Sequence, residues 1–354
     1  DTSLKGMRMK YSPAVSLSQP TCHAGASFYR IVFIRIYSGY PDNQGVFVAT
    51  MPRSLSGWRQ APGPGPGMDK PGGRATIPGM SKEAPPALPR AARLPINRCS
   101  LPAAILGSLT FQRHPVPLAL DGVLELHERL FRGLDQEPDP ARRAGLFAAH
   151  MKATFSLDCP EAAGLPAWAG KGRAKASYLR MLRGWSFDAD GQEGAVLKGW
   201  VESRFGLTPR HHGAPIRDFS GDAYRHYLEQ RARGLYGTNA LEAQLDLVYA
   251  FCQYELGRRL PGVSHLTLYR GVNRLEAHEA LHTSDDGRRV LLLNSLVSFS
   301  AARERADEFG DTVLEVQVPV AKICFHHRLL PGCLDGEDEY AVIGGLYEVR
   351  HARG

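Results

Sequence analysis

The apolar residues of this 354-residue chain change their spacing near Pro261. Before that proline they recur every three or four residues, the spacing that buries one face of a helix. After it they alternate with polar residues, which is typical of strands that bury one face of a sheet. Helices and strands that are segregated along a chain predict an α+β fold. We therefore expect a mainly helical N-terminal half packed on a β-rich core.

Six helices are predicted before Pro261. They span residues 119–134, 140–156, 176–187 and 192–205, a segment from Ser220 or Gly221 to Gly234, and residues 240–256. The last of them is the clearest, because Asn239 can cap its start and Gly257 can end it. After Pro261 the strand-like segments are residues 265–270, 290–293, 296–300, 314–320, 324–325 and 340–343.

The leading part of the chain does not have the composition of a folded domain. Residues 61–90 contain eight prolines and six glycines, which cannot bury enough apolar surface to offset chain entropy. We therefore predict that residues 1–92 are disordered, or reflect a start site placed too far upstream. A small strand-rich piece around residues 28–37 is the alternative. Residues 93–354 would form one domain, helical over 93–260 and β-rich over 261–350.

The net charge of +7 does not predict nucleic-acid binding. Residues 1–90 hold eleven Lys and Arg against four Asp and Glu, whereas the remainder holds 32 of each sign. The globular part therefore lacks the basic surface that DNA or RNA requires. Six widely spaced cysteines without a C-x-x-C pair favour reduced thiols. With no predicted membrane span and no signal peptide, we expect a soluble cytoplasmic protein.

Three short motifs near the C-terminus carry the candidate chemistry. The first is Arg270, which shares strand parity with Leu266 and Leu268 and precedes Gly271. An arginine on an inward face requires an anionic partner, either a buried carboxylate or a bound ligand. A side chain that extends to solvent is the third alternative, and Gly271 could serve only a turn.

The second motif is Ser298-Phe299-Ser300 at the end of a predicted strand. Ser298 and Ser300 share one face of the strand, and Ser298 is the stronger functional candidate. Ser300 precedes a predicted helix over residues 301–306, so it is also a candidate N-cap. Phe299 lies on the opposite face and is typical of a core residue.

The third motif is Glu337-Asp338-Glu339. On an extended strand the two glutamates lie on one side, about 6–7 Å apart, because the rise is roughly 3.3 Å per residue. Acids in this position usually form an exposed turn. Here, however, they lead directly into the apolar segment 340–343, which favours carboxylates at the mouth of a cleft. Arg270, Ser298 and the glutamates could then assemble around a dinucleotide.

The sequence gives less support to other kinds of catalytic or metal-binding site. The histidine pairs at residues 211–212 and 326–327 are adjacent, so on a strand their side chains point to opposite faces and do not chelate one metal readily. No metal site is predicted. The chain has no G-x-S-x-G, Walker A or G-x-G-x-x-G motif, so the serine hydrolase, P-loop kinase and Rossmann classes are not supported.

Arginine, then Ser-x-Ser, then Glu-x-Glu resembles the R-S-E pattern of arginine-directed mono-ADP-ribosyltransferases. Residues 97–115 (NRCSLPAAILGSLTFQRHP) and 293–300 (LNSLVSFS) narrow the resemblance to the dinitrogenase reductase ADP-ribosyltransferase family of nitrogen-fixing bacteria. It covers residues 95–350 and none of 1–90. The commoner motif is Ser-Thr-Ser, so Phe299 in place of threonine carries over no hydroxyl role.

The resemblance implies an ADP-ribosyltransferase-type core in which NAD is a substrate. Arg270 would contact its phosphates, and the Gly271 backbone would lie near the nicotinamide amide. Ser298 would position Glu339, which would bind the ribose 2′-hydroxyl, and Glu337 would orient the acceptor guanidinium. The resemblance also makes Asn294, Phe299 and Ser300 candidates for NAD contacts.

The function that the resemblance implies is transfer of ADP-ribose to an arginine of dinitrogenase reductase, the iron protein of nitrogenase, which switches nitrogen fixation off. PII signalling proteins are implied as regulators. Two alternatives stay open. One is an ADP-ribosyltransferase or NAD glycohydrolase with another target, although Glu337 argues against pure hydrolysis. The other is a binding module with a vestigial site.

Overall fold

The computed structural model describes residues 86–157, 176–236, 238, 240–273, 275, 278–331 and 338–352. The following sequence predictions lie outside the described residues: both alternatives for the stretch up to residue 85, predicted disorder and a strand-rich piece around residues 28–37, the cap at Asn239 and the carboxylate at Glu337.

The described residues form ten α-helices. They are α1 Ala103–Leu106, α2 Leu109–Arg113, α3 Val123–Leu126, α4 Glu128–Gln136, α5 Pro140–Phe155, α6 Tyr178–Phe187, α7 Gln192–Phe205, α8 Asp222–Gly234, α9 Ala240–Arg259 and α10 Arg303–Asp307. Local chemistry sets several ends. The Ser108 hydroxyl accepts from Phe111 N at the start of α2, and Asp139 caps α5 ahead of Pro140. Gly206, at φ 72°, ends α7 in the left-handed conformation.

Two of the predicted helices have wrong boundaries. The helix predicted over 119–134 is two helices, α3 and α4, because Gly122 turns the chain at φ 78° and the backbone breaks again at His127. The His127 ring is buried against His150, with Nδ1 and Nε2 3.0 Å apart. The helix α9 passes through Gly257, since Leu256 is buried and Arg259 pairs back to Glu255 one turn earlier.

Eight strands complete the described fold. They are β1 His211–His212, β2 Ala214–Pro215, β3 His265–Val272, β4 Glu279–Thr283, β5 Arg289–Ser300, β6 Thr312–Pro319, β7 Ile323–His326 and β8 Glu339–His351. β1 and β2 form a small hairpin. The other six form one antiparallel sheet in the order β4-β5-β3-β6-β8-β7, with a further pairing of β5 with β8.

The pairing of β5 with β8 brings the predicted motifs together. β5 pairs with β8 along most of its length, placing Ser300 opposite Glu339 and Ser298 opposite Ala341. β3 pairs with β6 over all eight residues and meets β5 at the single pair Tyr269–Ser300. The end of β5, the start of β8 and the middle of β3 therefore converge at one place.

The helical half packs on this sheet through buried polar side chains as well as apolar ones. From α9, the Tyr249 hydroxyl donates to Ala321 O at 2.8 Å, and Gln253 Nε2 donates to Val320 O and Ile323 O. From α2, Gln112 Nε2 donates to Gln317 O and Glu348 O. The predicted α+β architecture, helical half on β-rich core, is confirmed.

The division into an extension and a domain stays a prediction. Of the proposed extension only residues 86–92 are described, and they pack on the rest: Leu88 and Ala92 are buried. Thr208 N donates to Ala92 O at 3.1 Å. Within the described residues, no helix is both long enough and apolar enough to cross a membrane.

Lys322 is a fully buried lysine between β6 and β7, and it gives a testable pH dependence. Its Nζ donates to Gly344 O at 2.8 Å and lies 4.5 Å from the Tyr347 ring centroid. Burial lowers the pKa of Lys322 from 10.5 to about 7, while the ring contact favours the ammonium and opposes part of that shift. The pKa of Lys322 is lower in the folded protein than in the unfolded chain, so the unfolded chain takes up the proton first as the pH drops. The free energy of unfolding therefore falls between about pH 10.5 and about pH 7 and is constant below that.

We therefore expect Lys322→Met to remove this part of the pH dependence, which has a slope of at most about 1.4 kcal/mol per pH unit. The melting temperature of the variant, relative to the parent, should be higher at pH 6.5 than at pH 9.5. Comparing the two proteins at each pH cancels the other titrating groups. The same difference at both pH values would show that Lys322 is charged throughout.

Candidate active site

Glu339 is the centre of the candidate site. It is the first residue of β8 and is only 8% exposed. Its Oε1 accepts from Ser298 Oγ at 2.5 Å and from Trp185 Nε1 at 2.8 Å. Its Oε2 accepts from Ser186 Oγ at 2.8 Å. A nearly buried carboxylate with three donors is held in a defined orientation, as a group that acts in a reaction must be.

The donors come from both halves of the fold. Ser298 lies on β5, paired with β8, so its hydroxyl and the Glu339 carboxylate share one face of the sheet. Trp185 and Ser186 lie in the last turn of α6. The Trp185 indole N–H is shared, because Nε1 also lies 3.0 Å from Ser298 Oγ. The helical half is thus part of the site and not only a support for the sheet.

Arg270 lies beside this carboxylate and has unused donor capacity. Its Nη1 donates to Ser298 O at 2.7 Å, whereas its buried Nε has no hydrogen-bond partner in the described residues. Burial lowers the pKa of the guanidinium, and the nearby Glu339 carboxylate opposes that shift. A half-buried guanidinium with an unpartnered N–H is suited to bind an anion such as a phosphate, so the residues present fit a dinucleotide ligand.

The positive charge of Arg270 acts on two neighbouring titratable groups. Burial lowers the pKa of His278, and the charge of Arg270 lowers it further. Burial also lowers the pKa of Lys198, against the opposing effect of Asp190, and Arg270 adds to the lowering. The Lys198 ammonium donates to Asp190 Oδ1 at 2.6 Å. Asp190 offsets the charge of Lys198, and the lowered pKa of His278 favours its neutral form, so we assign the attraction for an anionic ligand to Arg270.

Gly271 follows Arg270 inside β3, so it is not a turn residue. A Cβ at this position would lie 2.0 Å from Ala306 O and 2.9 Å from Gly310 N. Only glycine allows β3 to pack this closely against α10. That close packing accounts for the glycine, and a contact between its backbone and a nicotinamide amide stays a prediction.

Ser300 and Phe299 occupy structural positions at the end of β5. The Ser300 hydroxyl accepts from Ala302 N at 3.1 Å, but α10 begins at Arg303 and its N-cap residue is Ala302. The predicted cap therefore lies two residues too early. Phe299 is 3% exposed in the main core, with its ring 6.3 Å from that of Tyr347. Contacts of these two residues with NAD stay predictions.

Asn294 connects the bulge in β5 to the small hairpin. Its Oδ1 accepts from Arg210 N at 2.8 Å and from Ser295 N at 2.9 Å, and its Nδ2 donates to His211 O at 2.9 Å. Most of its hydrogen-bonding capacity is used by the protein. An NAD contact from Asn294 stays a prediction, and the structure gives it a clear architectural role.

Two residues of the site were missed by the sequence analysis. Trp185 and Ser186 are 154 and 153 residues from Glu339 in sequence, and no local motif links them to it. Glu337, the predicted second carboxylate, lies outside the described residues. Its neighbour Asp338 has a left-handed backbone, at φ 44°, and pairs with His327 Nε2 at 3.1 Å.

Comparison with known proteins shows the family of this chain. The family model described as dinitrogenase reductase ADP-ribosyltransferase (DRAT) matches residues 96–351. The chain belongs to this family. A protein of Rhodospirillum rubrum named "NAD(+)--dinitrogen-reductase ADP-D-ribosyltransferase" is 44% identical over 257 residues, which are 72% of this chain and 93% of that protein. No solved structure matches the chain.

The DRAT match covers both halves of the candidate site. It includes α6, which carries Trp185 and Ser186, as well as β3, β5 and β8. The resemblance recognised in the sequence is therefore confirmed, with NAD as the substrate that the DRAT reaction requires. Among the described residues, no group of three or more His, Cys, Asp or Glu side chains could hold a metal ion.

Proposed function

We propose that this chain transfers ADP-ribose from NAD to an arginine of dinitrogenase reductase and thereby inactivates nitrogen fixation. The observation that carries the proposal is the Glu339 carboxylate, held by Ser298 beside the unpartnered Arg270 N–H in a DRAT-family chain. The related Rhodospirillum rubrum protein carries that substrate in its name.

The proposed donor half-reaction uses Arg270, Ser298 and Glu339. The bond between ribose C1′ and nicotinamide breaks, its electron pair leaves with nicotinamide, and positive charge develops on the ribose. A carboxylate bound to the ribose 2′-hydroxyl stabilises that charge where it develops. Glu339 takes this role, Ser298 fixes its orientation, and Arg270 binds the phosphates of NAD.

The proposed acceptor half-reaction uses Glu337. A guanidinium nitrogen attacks C1′, forms the new C–N bond and must lose a proton, and a protonated guanidinium is a poor nucleophile. A carboxylate two residues before Glu339 can orient the guanidinium by paired hydrogen bonds and accept that proton. This division of roles rests on the sequence motif and the family.

Glu337→Gln is therefore expected to suppress transfer to arginine while some NAD hydrolysis remains, because the donor half-reaction does not use Glu337. Transfer is measured as label from radiolabelled NAD on the iron protein, and hydrolysis as free ADP-ribose. Asp338→Asn, which changes the neighbouring acid, is the matched control. If Glu337→Gln reduced both activities equally, the two glutamates would not have separate roles.

Nicotinamide release with and without dinitrogenase reductase tests the proposed function itself. A transferase releases nicotinamide in step with the labelling of the iron protein, and mass spectrometry of the product should place ADP-ribose on arginine. Release that is indifferent to the iron protein would indicate a glycohydrolase. No release under either condition would indicate a binding module with a vestigial site.

We also propose a cytoplasmic location and regulation by a PII signalling protein. The location rests on the widely spaced cysteines and on the lack of a predicted signal peptide, and the regulation rests on the family resemblance. Co-purification of the chain with PII, and a change in the labelling rate when PII is added, test the second proposal. Unchanged rates at saturating PII would remove it.

A further inference from the structure

The two carboxylate oxygens of Glu339 are held in different ways. Oε1 accepts from Ser298 Oγ and from Trp185 Nε1, and among the described residues neither donor has a competing acceptor outside this group of three. Trp185 is 3% exposed and packs within the main core. Trp185 is therefore fixed by its surroundings, and Oε1 already accepts from two donors.

Oε2 has a donor that can turn away. The Ser186 hydroxyl lies 2.8 Å from Glu339 Oε2 and 3.3 Å from Leu182 O in the preceding turn of α6. A serine hydroxyl carries one proton, so it satisfies one of these acceptors at a time. Rotation toward Leu182 O frees Oε2 without leaving the serine proton unpartnered.

The position of Ser186 favours such an exchange. Ser186 is half-buried in the last turn of α6, and the next residue, Phe187, is 92% exposed. Of the two donors that α6 supplies, the one on Oε2 is therefore the more exposed, while the one on Oε1, Trp185, is buried. A ligand hydroxyl that approaches from solvent would meet Oε2 first.

We propose that Glu339 Oε2 receives the ribose hydroxyl of NAD, that Ser186 is a placeholder on this oxygen until the ribose arrives, and that Trp185 is a positioning residue that holds Oε1 throughout. The inference rests on the proposed function. It adds two residues of the helical half to the site and states a different role for each of them.

The two roles predict opposite kinetic effects. Ser186→Ala removes the competing donor, so the dissociation constant and KM for NAD should fall by roughly three- to tenfold, the lower end applying if a water replaces the hydroxyl. Trp185→Phe removes a donor that orients the carboxylate in every state. It should lower kcat by at least roughly tenfold while the NAD dissociation constant stays within about twofold.

Two matched variants serve as controls. Ser186→Thr keeps the hydroxyl and should restore the affinity of the parent protein. Trp200→Phe also removes a buried indole that donates to a carboxylate, here Asp246 Oδ1 at 2.7 Å, but away from the site. It should lower the melting temperature without lowering kcat per folded molecule.

A spectroscopic measurement covers the case in which Trp185→Phe does not fold. In the parent protein with ¹⁵N-labelled tryptophan, the Trp185 indole N–H should stay protected from exchange in both the free and the NAD-bound state. Loss of that protection on NAD binding would overturn the permanent role of Trp185. A fall in kcat for Ser186→Ala as large as that for Trp185→Phe, or weaker NAD binding, would overturn the placeholder role.

The experiment separates this inference from the proposed function. If the parent protein labels dinitrogenase reductase but Ser186→Ala leaves the NAD affinity unchanged, only the placeholder role is lost. If the parent protein neither binds NAD nor releases nicotinamide, the proposed function fails, and the placeholder role falls with it because no ribose is received.

Discussion

Replacing Glu339 with glutamine is expected to leave NAD binding in place while nicotinamide release falls by at least roughly 10²–10³-fold, the effect of losing one electrostatic stabiliser of a transition state. Glutamine fits the site: its amide oxygen can accept from Trp185 and Ser298, and its amide nitrogen can donate to Ser186 Oγ. The variant therefore keeps the shape and loses the charge. NAD affinity by titration and single-turnover nicotinamide release check both parts.

Arg270→Ala is the matched comparison. Arg270 is proposed to contact phosphates that are present before and after the bond breaks, so weaker NAD binding should form a large part of its defect. Glu339→Gln should instead change the rate and not the affinity. Near-normal nicotinamide release by Glu339→Gln would refute the role of this carboxylate and favour the non-catalytic alternative.

Local chemistry made three residues of the site predictable. Arg270, Ser298 and Glu339 each stand at a strand with the parity that puts a polar group on an otherwise apolar face, and the antiparallel pairing of β5 with β8 then brings two of them together. Trp185 and Ser186 were not predictable, because their contacts with Glu339 depend on how the helical half docks on the sheet. Neither α6 nor its neighbours in sequence contain a pattern that predicts this docking.

Strand β8 shows the same limit. The apolar pattern predicts a strand over 340–343, whereas β8 continues through two glycines to His351. Gly345 has φ 103°, and a Cβ there would lie 2.7 Å from Gly107 Cα. Leu346 N donates to Gly107 O at 2.8 Å. In the sequence, the two glycines resemble the end of a strand. In the structure they let β8 approach the turn after α1 closely, and this contact between distant segments cannot be predicted from the local pattern.

The largest effect on stability is expected at the ion pair between α5 and α9. Arg143 Nε and Nη2 donate to Glu255 Oε1 and Oε2 at 2.5 Å and 3.0 Å, and the two residues are 2% and 0% exposed. Arg143 Nη1 also donates to Glu137 O and Pro138 O just after α4. This one guanidinium therefore joins α4, α5 and α9.

Glu255→Gln leaves the Arg143 charge buried without a counter-charge, which typically costs about 3–5 kcal/mol. For a domain of this size that is roughly 10 °C in the melting temperature. In Arg143→Met the Glu255 carboxylate keeps Arg259, whose Nε donates to Glu255 Oε2 at 3.1 Å, so this variant should lose somewhat less stability. The loss of stability of each variant is measured by thermal and by urea unfolding of the full chain.

The double variant Arg143→Met with Glu255→Leu, compared with Arg143→Met alone and Glu255→Leu alone, separates the interaction of the two charges from the packing of each side chain. Removing both charges also removes their desolvation cost, so apolar replacements of similar volume are often close to neutral. We expect the double variant to be several kcal/mol more stable than the sum of the single effects, reduced by the donors lost to Glu137 O and Pro138 O. Additive effects would instead mean that each side chain acts through its own packing, and that the coupling between α5 and α9 does not depend on charge.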